Sequence, residues 1–352
     1  MYYPKVFIII LNWNGLKDTL ECLESVFKLD YPNFEVIVVD NGSTDNSAEI
    51  IPKMYAQVIF VENKQNLGYT GGNNIGMQYA MDNGADYIWL LNNDMVVEPD
   101  TLSKLIETAE LNFKIGLISP TIYYYDKPEK IQFCGSYIDW EHQTIIYPKD
   151  NDEPVAEKFK TSTDVCLWGT ALLIKRALVE NIGYLNERYF AYWEDTDYSI
   201  RSLEAGFKNY VENQAKIKHR NQLTEEGVPR KAIHYYYYMV RNEYYLWSQH
   251  LEGFKKIIFF KKYIIKVIET SANYRFHYGE VYSDACFNGA YSAIRGADGP
   301  WDENIKMPFI LKKILLWHPY LLGNMLRGDI LNIFTEITKR VKKRFTRMSK
   351  TI

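Results

Sequence analysis

Short apolar runs alternate with amphipathic segments over the first hundred residues of this 352-residue chain. The runs are rich in the β-strand formers Val, Ile and Phe: Lys5–Leu11, Phe34–Val39, Val58–Val61 and Tyr87–Leu91. The segments between them have apolar residues at helical spacing: Leu16–Phe27, Asp45–Met54 and Asn73–Met81. Continuous apolar strands separated by helices are typical of a buried parallel sheet. The pattern therefore predicts an α/β fold, with a mostly parallel sheet and helices on both faces.

The pattern loosens into strands and turns between residues 115 and 174. A helix is then predicted from Trp193 to Ala205, and Gly206 ends it because glycine readily adopts the left-handed conformation of a helix C-terminus. Two short strands follow, Asn209–Glu212 and Ala215–His219.

The remainder of the chain is mostly helical in its pattern. The predicted helices are Ile233–His250, Phe254–Thr270, Tyr282–Ile294, Pro308–Leu326 and Ile330–Arg347. We therefore expect two domains, an α/β domain in residues 1–225 and a C-terminal helical region in residues 226–352.

The last predicted helix is amphipathic and basic. From Ile337 to the end there are seven basic residues and no acidic one, while Leu331, Phe334 and Val341 belong to an apolar stripe. Such a helix binds an anionic membrane surface in some proteins, and in others it packs on its own domain with a solvated end. The sequence favours neither alternative.

Composition limits the class of protein. The chain has 41 basic and 44 acidic residues, so its body outside the basic tail is acidic and does not suit nucleic-acid binding. The four cysteines form no C-x-x-C pair, which favours a reducing compartment without a disulfide or zinc scaffold. With no signal-peptide layout and no apolar run of membrane-spanning length, we expect a cytoplasmic protein.

Polar residues follow each of the four predicted strands: Asn12–Gly15, Asp40–Gly42, Glu62–Asn63 and Asn92–Asp94. Such residues are ordinary turn formers. However, ligands of open parallel sheets bind beyond the carboxyl ends of the strands, where all four groups would lie together. This arrangement predicts a ligand site at that edge of the sheet.

Asp94 differs from the other turn residues because it emerges between the apolar segments Ile88–Leu91 and Met95–Val97. A carboxylate in such surroundings needs a partner, and Mg²⁺ or Mn²⁺ held together with substrate phosphates would supply one. The alternative is an Asp that caps a helix.

A glycine-rich segment, Asn66–Gly76, enters a helix, and its backbone N–H groups could face a phosphate. The segment lacks the position of a dinucleotide-binding fingerprint and the Lys-Ser/Thr of a P-loop, which makes a dehydrogenase a weak third alternative.

Acidic residues open the predicted helix that follows an aromatic run. Asp197 and Arg201 are spaced for an ion pair, whereas Asp195 points elsewhere. An unpaired carboxylate beside aromatic side chains is suited to act as a general base. Acids are also favoured in any first helical turn by the helix dipole, without a catalytic role.

Several of these segments occur together, in order, in one known family. They are Ile8–Gly15, Val38–Asp45, Asn66–Gly76, Leu91–Asp94, Trp168–Ala171, Ile182–Glu187, and Glu194–Asp197 with Arg201. On them the chain resembles glycosyltransferase family 2, the inverting enzymes of the GT-A (Rossmann-like) fold, and most closely its rhamnosyltransferase-like branch. The resemblance extends over roughly residues 4–245 and is loose in the helical remainder.

The resemblance implies roles on the donor side of a site. The nucleotide-binding residues would be Asn12, Asp40, Asn74, Asn92 and Asn93. Asp94 and His219 would hold the metal, Mg²⁺ or Mn²⁺, on the diphosphate. The family usually has an acid where this chain has Asn92, a difference that would weaken metal binding or shift it towards His219.

The resemblance also implies roles on the acceptor side. Asp195 would be the base that deprotonates the acceptor hydroxyl, and Glu194 would contact the acceptor. Trp168 and Trp193 would offer apolar faces to a sugar ring. The chain has Leu185–Glu187 where Phe-Asp-Glu is frequent in the family.

The resemblance implies transfer of a sugar from a nucleotide diphosphate to a glycan or lipid-linked hydroxyl in cell-surface polysaccharide synthesis. L-Rhamnose from dTDP-L-rhamnose is the preferred donor on branch resemblance alone. A UDP-hexose donor and a non-catalytic nucleotide-sugar or glycan-binding scaffold are the alternatives. A lipid-linked acceptor would bring the protein to the inner face of the membrane, and a homo-oligomer is compatible with the sequence.

Overall fold

The structure is a computed structural model that describes residues 2–148, 164–220 and 231–317. The chain divides into two compact units, Met1–Arg230 and Lys231–Ile352. The predicted basic helix Ile330–Arg347 lies outside the described residues, so its alternatives stay open.

Four parallel strands form one half of the main sheet, in the order β3-β2-β1-β4. They are β1 Val6–Asn12, β2 Phe34–Asp40, β3 Ile59–Glu62 and β4 Tyr87–Asn92. The helices between them are α1 Leu16–Val26, α2 Ser47–Met54 and α3 Gly68–Asp82. The predicted α/β fold is confirmed.

The other half of the sheet is mixed and continues in the order β11-β6-β12-β5, with β7 paired to β6. Its strands are β5 Met95–Val97, β6 Ile115–Tyr124, β7 Ile131–Phe133, β11 Ala171–Lys175 and β12 Lys208–His219, and helix α4 is Thr101–Leu111. A smaller sheet contains β8 Ser136–Asp139, β9 Thr144–Ile146 and β10 Val165–Cys166. The remaining helices of this unit are α5 Arg176–Ile182, a 3₁₀ turn Glu187–Tyr189, and α6 Glu194–Glu204.

Strand β12 corrects one prediction. The two short strands expected at Asn209–Glu212 and Ala215–His219 are a single strand that pairs with β6 along its length. Its register shifts between Glu212 and Lys216, where the extra residues bulge out of the ladder. The polar bulge interrupts the apolar pattern without ending the strand.

Strand β1 shows how the core fixes the sheet. Ile8 and Ile10 pack in one apolar layer, whereas Phe7 and Ile9 pack in the layer on the opposite face. Because successive side chains of a strand point to opposite faces, a strand buried on both has no polar position until it ends. The first polar side chain of β1, Asn12, therefore lies at the sheet edge.

The second unit is helical. Its helices are α7 Ile233–His250, α8 Gly253–His277, α9 Glu280–Arg295 and α10 Phe309–Trp317. The expected C-terminal helical region is confirmed. Arg241 is fully buried and donates a 2.6 Å hydrogen bond to the carbonyl of Gly299, which fixes the segment after α9. None of the helices in the described residues combines the length and apolar character of a membrane span.

Candidate active site

A chain of hydrogen bonds joins the ends of three parallel elements. The Asn93 amide donates to the Thr19 hydroxyl at 3.0 Å, and this hydroxyl donates to the Asn12 amide oxygen at 2.8 Å. The Asn12 amide then donates to Asp40 at 2.7 Å. Asn12 and Thr19 are fully buried, and Asp40 is almost fully buried. The structure therefore brings together the predicted residues Asn12, Asp40 and Asn93. Their side chains are engaged in hydrogen bonds within this chain of residues. Their contact with a nucleotide stays a prediction.

Asn41 organises the neighbouring loop. Its amide donates to Asn66 and to the Gly68 carbonyl, both at 3.0 Å, and its oxygen accepts from Asn63 at 3.1 Å. Two of the strand-end polar groups are thus used to shape turns, the role that polar turn residues commonly have.

The glycines of α3 permit close packing. A Cβ atom on Gly72 would lie 2.4 Å from the Leu11 side chain, and one on Gly76 would lie 2.6 Å from Ile9. The helix therefore packs against β1 more closely than a side chain would allow.

The N–H groups at the start of α3 are already bonded. That of Gly68 donates to the Asn66 side chain at 2.8 Å, and that of Thr70 donates to the Phe190 carbonyl at 3.2 Å. The expectation that these groups face a phosphate is corrected for these two positions, because protein oxygens occupy them.

Asn74 clamps a distant segment. Its amide donates to the Leu185 carbonyl at 2.9 Å and to Glu187 at 3.0 Å, while its oxygen accepts from the Leu185 N–H at 3.0 Å. Contact between Asn74 and a nucleotide stays a prediction, and it would require exchange of these bonds.

Asp94 and His219 form a second group of contacting residues at the site. The His219 Nε2 atom lies 2.9 Å from Asp94 Oδ2, and its Nδ1 atom lies 2.7 Å from the Gln132 side-chain oxygen. Since His219 pairs with Met95 in the β12–β5 ladder, the backbone itself places the imidazole beside the turn after β4.

This pair fits a divalent cation. Asp94 Oδ1 is buried without a hydrogen-bond partner, and such an orphaned carboxylate oxygen is a ready ligand for a hard cation. The Asn92 side chain makes no hydrogen bond within the described residues. No cluster of three or more His, Cys, Asp or Glu that could hold a metal occurs in the described part of the chain. Within the described residues, Asp94 and His219 are therefore the carboxylate and imidazole available to a cation here.

Asp195 is held by backbone donors. The Gly169 N–H donates to its Oδ2 atom at 2.9 Å, and the Thr196 N–H donates to its Oδ1 atom at 2.7 Å. Burial raises the pKa of Asp195 in spite of these bonds, which lower it. A carboxylate in this state is a stronger base than an exposed aspartate.

Tyr69 fixes Gly169, the residue whose N–H holds Asp195. Its hydroxyl donates a 2.6 Å hydrogen bond to the Gly169 carbonyl. Burial and then the charges of Glu194, Asp195 and Asp94 raise the pKa of Tyr69. The charge of Asp94 and the charges of two acidic residues in the first turn of α6 thus act on the same phenol.

Glu194 is in an environment that is unfavourable for its ionised form. It is buried, its Oε2 atom has no hydrogen-bond partner, and burial followed by the Asp195 charge raises its pKa well above the usual range.

The predicted Asp197–Arg201 pair is confirmed at 2.8 Å, and the Arg201 guanidinium also donates to the carbonyls of Ile182 and Tyr184. Asp197 is therefore structural.

Trp168 lies next to residues that hold Asp195 and His219, because Phe133, on which it stacks, follows Gln132 in the chain. It precedes Gly169 in the chain and stacks on Phe133 with ring centroids 4.1 Å apart. One face of its ring is thereby covered. Trp193 adopts a left-handed conformation, with φ of 73°, directly before α6. Sugar contacts by either residue stay predictions.

Thr19, Tyr69 and Gln132 were not expected as site residues. Thr19 and Tyr69 lie within helices, and Gln132 lies in a short edge strand. Their roles depend on partners more than 70 positions away in most cases, as with Gln132 and His219 at a separation of 87. No local signal in the sequence identifies such partners.

A family model described as glycosyl transferase family 2 matches residues 7–183, and the chain belongs to this family. The fold is accordingly of the GT-A type, as expected.

One similar curated protein is the poly-β-1,6-N-acetyl-D-glucosamine synthase of Staphylococcus epidermidis. It is 27% identical over 207 residues, which are 58% of this chain and 45% of that protein. The chain thus spans less than half the length of this relative.

Two solved structures share the fold. One is S. aureus TarS 1–349 in complex with UDP-GlcNAc, with a TM-score of 0.55 and 15% identity over 94% of this chain and 89% of that one. The other is the mannosyltransferase PcManGT of Pyrobaculum calidifontis in complex with GDP-Man and Mn²⁺, with a TM-score of 0.51 and 14% identity over 95% and 88%. The rhamnosyltransferase-like branch is not confirmed by these comparisons.

Proposed function

We propose that this chain is an inverting glycosyltransferase that moves a hexose or N-acetylhexosamine from a UDP-sugar to a hydroxyl of a glycan or lipid-linked acceptor. The observation that carries the proposal is the Asp94–His219 pair with its orphaned carboxylate oxygen, which lies in the same compact unit as the Asp195 carboxylate held by two backbone N–H groups. One group suits a leaving diphosphate and the other suits an attacking hydroxyl.

Asp195 accepts the proton of the acceptor hydroxyl as the oxygen attacks the anomeric carbon from the side opposite the diphosphate. The N–H groups of Gly169 and Thr196 fix the carboxylate, so little reorganisation is needed at the moment of proton transfer. The unpartnered Oε2 atom of Glu194 provides a hydrogen-bonding position for the same acceptor.

Asp94 and His219 would hold a divalent cation, with Asp94 Oδ1 as the oxygen that has no hydrogen-bond partner. When bound, Mg²⁺ or Mn²⁺ stabilises the negative charge of the leaving diphosphate. Asn92, at the end of β4 and two positions before Asp94, makes no side-chain hydrogen bond within the described residues, and its amide is suited to a phosphate or ribose oxygen.

Transfer of an N-acetylhexosamine is supported by the name of the related poly-β-1,6-N-acetyl-D-glucosamine synthase, and a UDP-linked donor is supported by the UDP-GlcNAc that the TarS structure contains. The name of that synthase also supports a glycan acceptor in polysaccharide synthesis. No observation in the structure favours dTDP-L-rhamnose, which therefore enters the test as one member of the panel.

The test measures nucleotide release from UDP-GlcNAc, UDP-GalNAc, UDP-glucose, UDP-galactose, GDP-mannose and dTDP-L-rhamnose, with Mn²⁺, with Mg²⁺ or with EDTA. We expect release from a UDP-sugar that EDTA and Asp94→Ala both abolish. Release from dTDP-L-rhamnose alone would overturn the donor assignment and restore the branch resemblance.

Calorimetry with the same panel separates the enzyme from a binding module, because an enzyme that requires its acceptor still binds the donor. Donor binding that depends on metal and on Asp94 supports the proposal. Binding of a glycan without any nucleotide-sugar would favour the scaffold alternative, and binding of neither would refute the proposed function.

A further inference from the structure

The first turns of α8 expose large apolar side chains on one face. Phe254 is 73% exposed, Ile257 is 56% exposed and Ile258 is 36% exposed. Their spacing of three and four residues places them on one side of the helix, and Phe259 and Tyr263 on the other side are buried in the helical unit. This exposed face, defined by Phe254, Ile257 and Ile258, is called the α8 patch below.

The α8 patch is surrounded by positive charge. Between Gly253 and Lys266 the helix contains five lysines and no acidic residue. Lys266 pairs with Glu243 at 2.5 Å. Lys255, Lys256 and Lys261 are exposed, and none of them forms an ion pair with another described residue. Three lysines without an ion-pair partner among the described residues thus lie in the same turns of α8 as the exposed apolar side chains.

We propose that the α8 patch docks on an anionic phospholipid surface. A helix of this kind lies in the interface, with its apolar side chains inserted below the headgroups and its lysines among the phosphates. The proposal does not rest on the proposed transferase activity, and it concerns residues other than those of the basic tail.

The positive charge of α8 favours a lipid surface over the other molecules that could cover the α8 patch. The chain's own end, from Ile337 onward, has seven basic residues and no acidic one, so it would bring like charge against the lysines. A two-fold dimer through this face would place the same lysines opposite their own copies. A soluble polyanion would satisfy the lysines but would leave Phe254 and Ile257 in water. A lipid surface satisfies both.

The test uses the full chain and co-sedimentation with vesicles, either of phosphatidylcholine alone or of phosphatidylcholine mixed with phosphatidylglycerol. We expect binding to the mixed vesicles only, weakened by added salt. Phe254→Ser with Ile257→Ser should reduce the partition coefficient about tenfold or more. Lys255→Gln, Lys256→Gln and Lys261→Gln together should reduce it on the order of a hundredfold at low salt, because each lysine contributes about fivefold.

Three controls make the result specific. Leu111→Ser with Phe113→Ser removes apolar residues of the other unit that are even more exposed, at 86% and 78%, and should leave binding unchanged. Arginines in place of the three lysines should also preserve binding. Unaltered thermal unfolding excludes a folding defect in any variant.

Charge reversal of the tail, by Lys339→Glu, Lys342→Glu and Lys343→Glu, distinguishes the two basic segments. Binding that is lost in this variant but retained in both α8 variants would overturn the proposal. Failure of the wild-type chain to bind anionic vesicles, equal binding to neutral vesicles, or concentration-dependent dimerisation that the α8 substitutions abolish would overturn it as well.

Discussion

His219 Nε2 lies 2.9 Å from Asp94 Oδ2, although 125 positions of sequence separate the two residues. The β12–β5 ladder brings them together, and Gln132 fixes the imidazole from its other side at 2.7 Å. A histidine held through its second nitrogen is a common arrangement in metal sites, because the outer hydrogen bond sets the tautomer and the orientation of the ring.

Asp94→Ala should abolish metal-dependent donor binding and reduce nucleotide release on the order of a hundredfold or more, because it removes the orphaned oxygen from the predicted cation site. Calorimetry with and without EDTA measures the binding. Asp126→Ala, which alters an exposed loop carboxylate, is the matched control. Equal EDTA sensitivity in the Asp94 variant and the wild type would contradict the assignment.

Asp195→Asn should reduce kcat by about a hundredfold to ten-thousandfold with little change in donor affinity, because it removes the proposed base. In the wild type, activity should rise with pH as Asp195 loses its proton. Burial raises the pKa of this group, so the rise should occur at higher pH than for an exposed aspartate. The pH dependence of kcat/KM measures it. A profile that survives unchanged in the variant would show that another group accepts the proton.

Tyr69→Phe should lower kcat about tenfold and leave the donor KM unchanged, because the Gly169 peptide that holds Asp195 loses its anchor. The acidic limb of the pH profile should also shift, since the hydrogen bond from Gly169 lowers the pKa of Asp195. Tyr79→Phe, in the same helix but away from Gly169, serves as the control. An equal loss of kcat in both variants would indicate a general effect on α3.

Glu194→Gln should stabilise the protein at neutral and higher pH by about 1–3 kcal/mol, because a buried carboxylate is costly when ionised and one of its oxygens, Oε2, has no hydrogen-bond partner. The pKa of Glu194 is raised in the folded state. Its contribution therefore lowers stability as pH rises from the ordinary glutamate pKa towards the raised one. Unfolding midpoints of variant and wild type should diverge with increasing pH. Glu107→Gln, at an exposed position, should show no such divergence.

Gly76→Ala should destabilise the α/β unit. Overpacking against Ile9 costs about 1–3 kcal/mol, and the higher helix propensity of alanine returns only about 1 kcal/mol. In an Ile9→Ala background the same substitution should cost less, which a double-mutant cycle measures. Gln78→Ala, on the exposed side of α3, is the control. Additive effects of the two substitutions would show that the close approach is not the cause.

The strands and helices were predictable because burial on both faces leaves a continuous apolar signal, as in β1. The bulge in β12 was not, because a polar interruption looks the same whether a strand ends or only kinks. Asp94 and Asp195 stood out by their surroundings in the sequence. Their positioning partners could not be recognised from the sequence. Tyr69, for example, contacts Gly169 only at its backbone, and a backbone contact requires no particular side chain there beyond the small size of glycine.

The order of strands also sets when the site forms during synthesis. Asp94 leaves β4 at the middle of the sheet, yet its partner lies on β12, the last strand of the sheet to be made. A nascent chain that has completed β1 to β4 contains the turns after these strands, but it lacks His219 and cannot assemble the Asp94–His219 pair. The proposed affinity for a divalent cation would thus appear only after β12 has been made, and metal binding would report completion of the sheet.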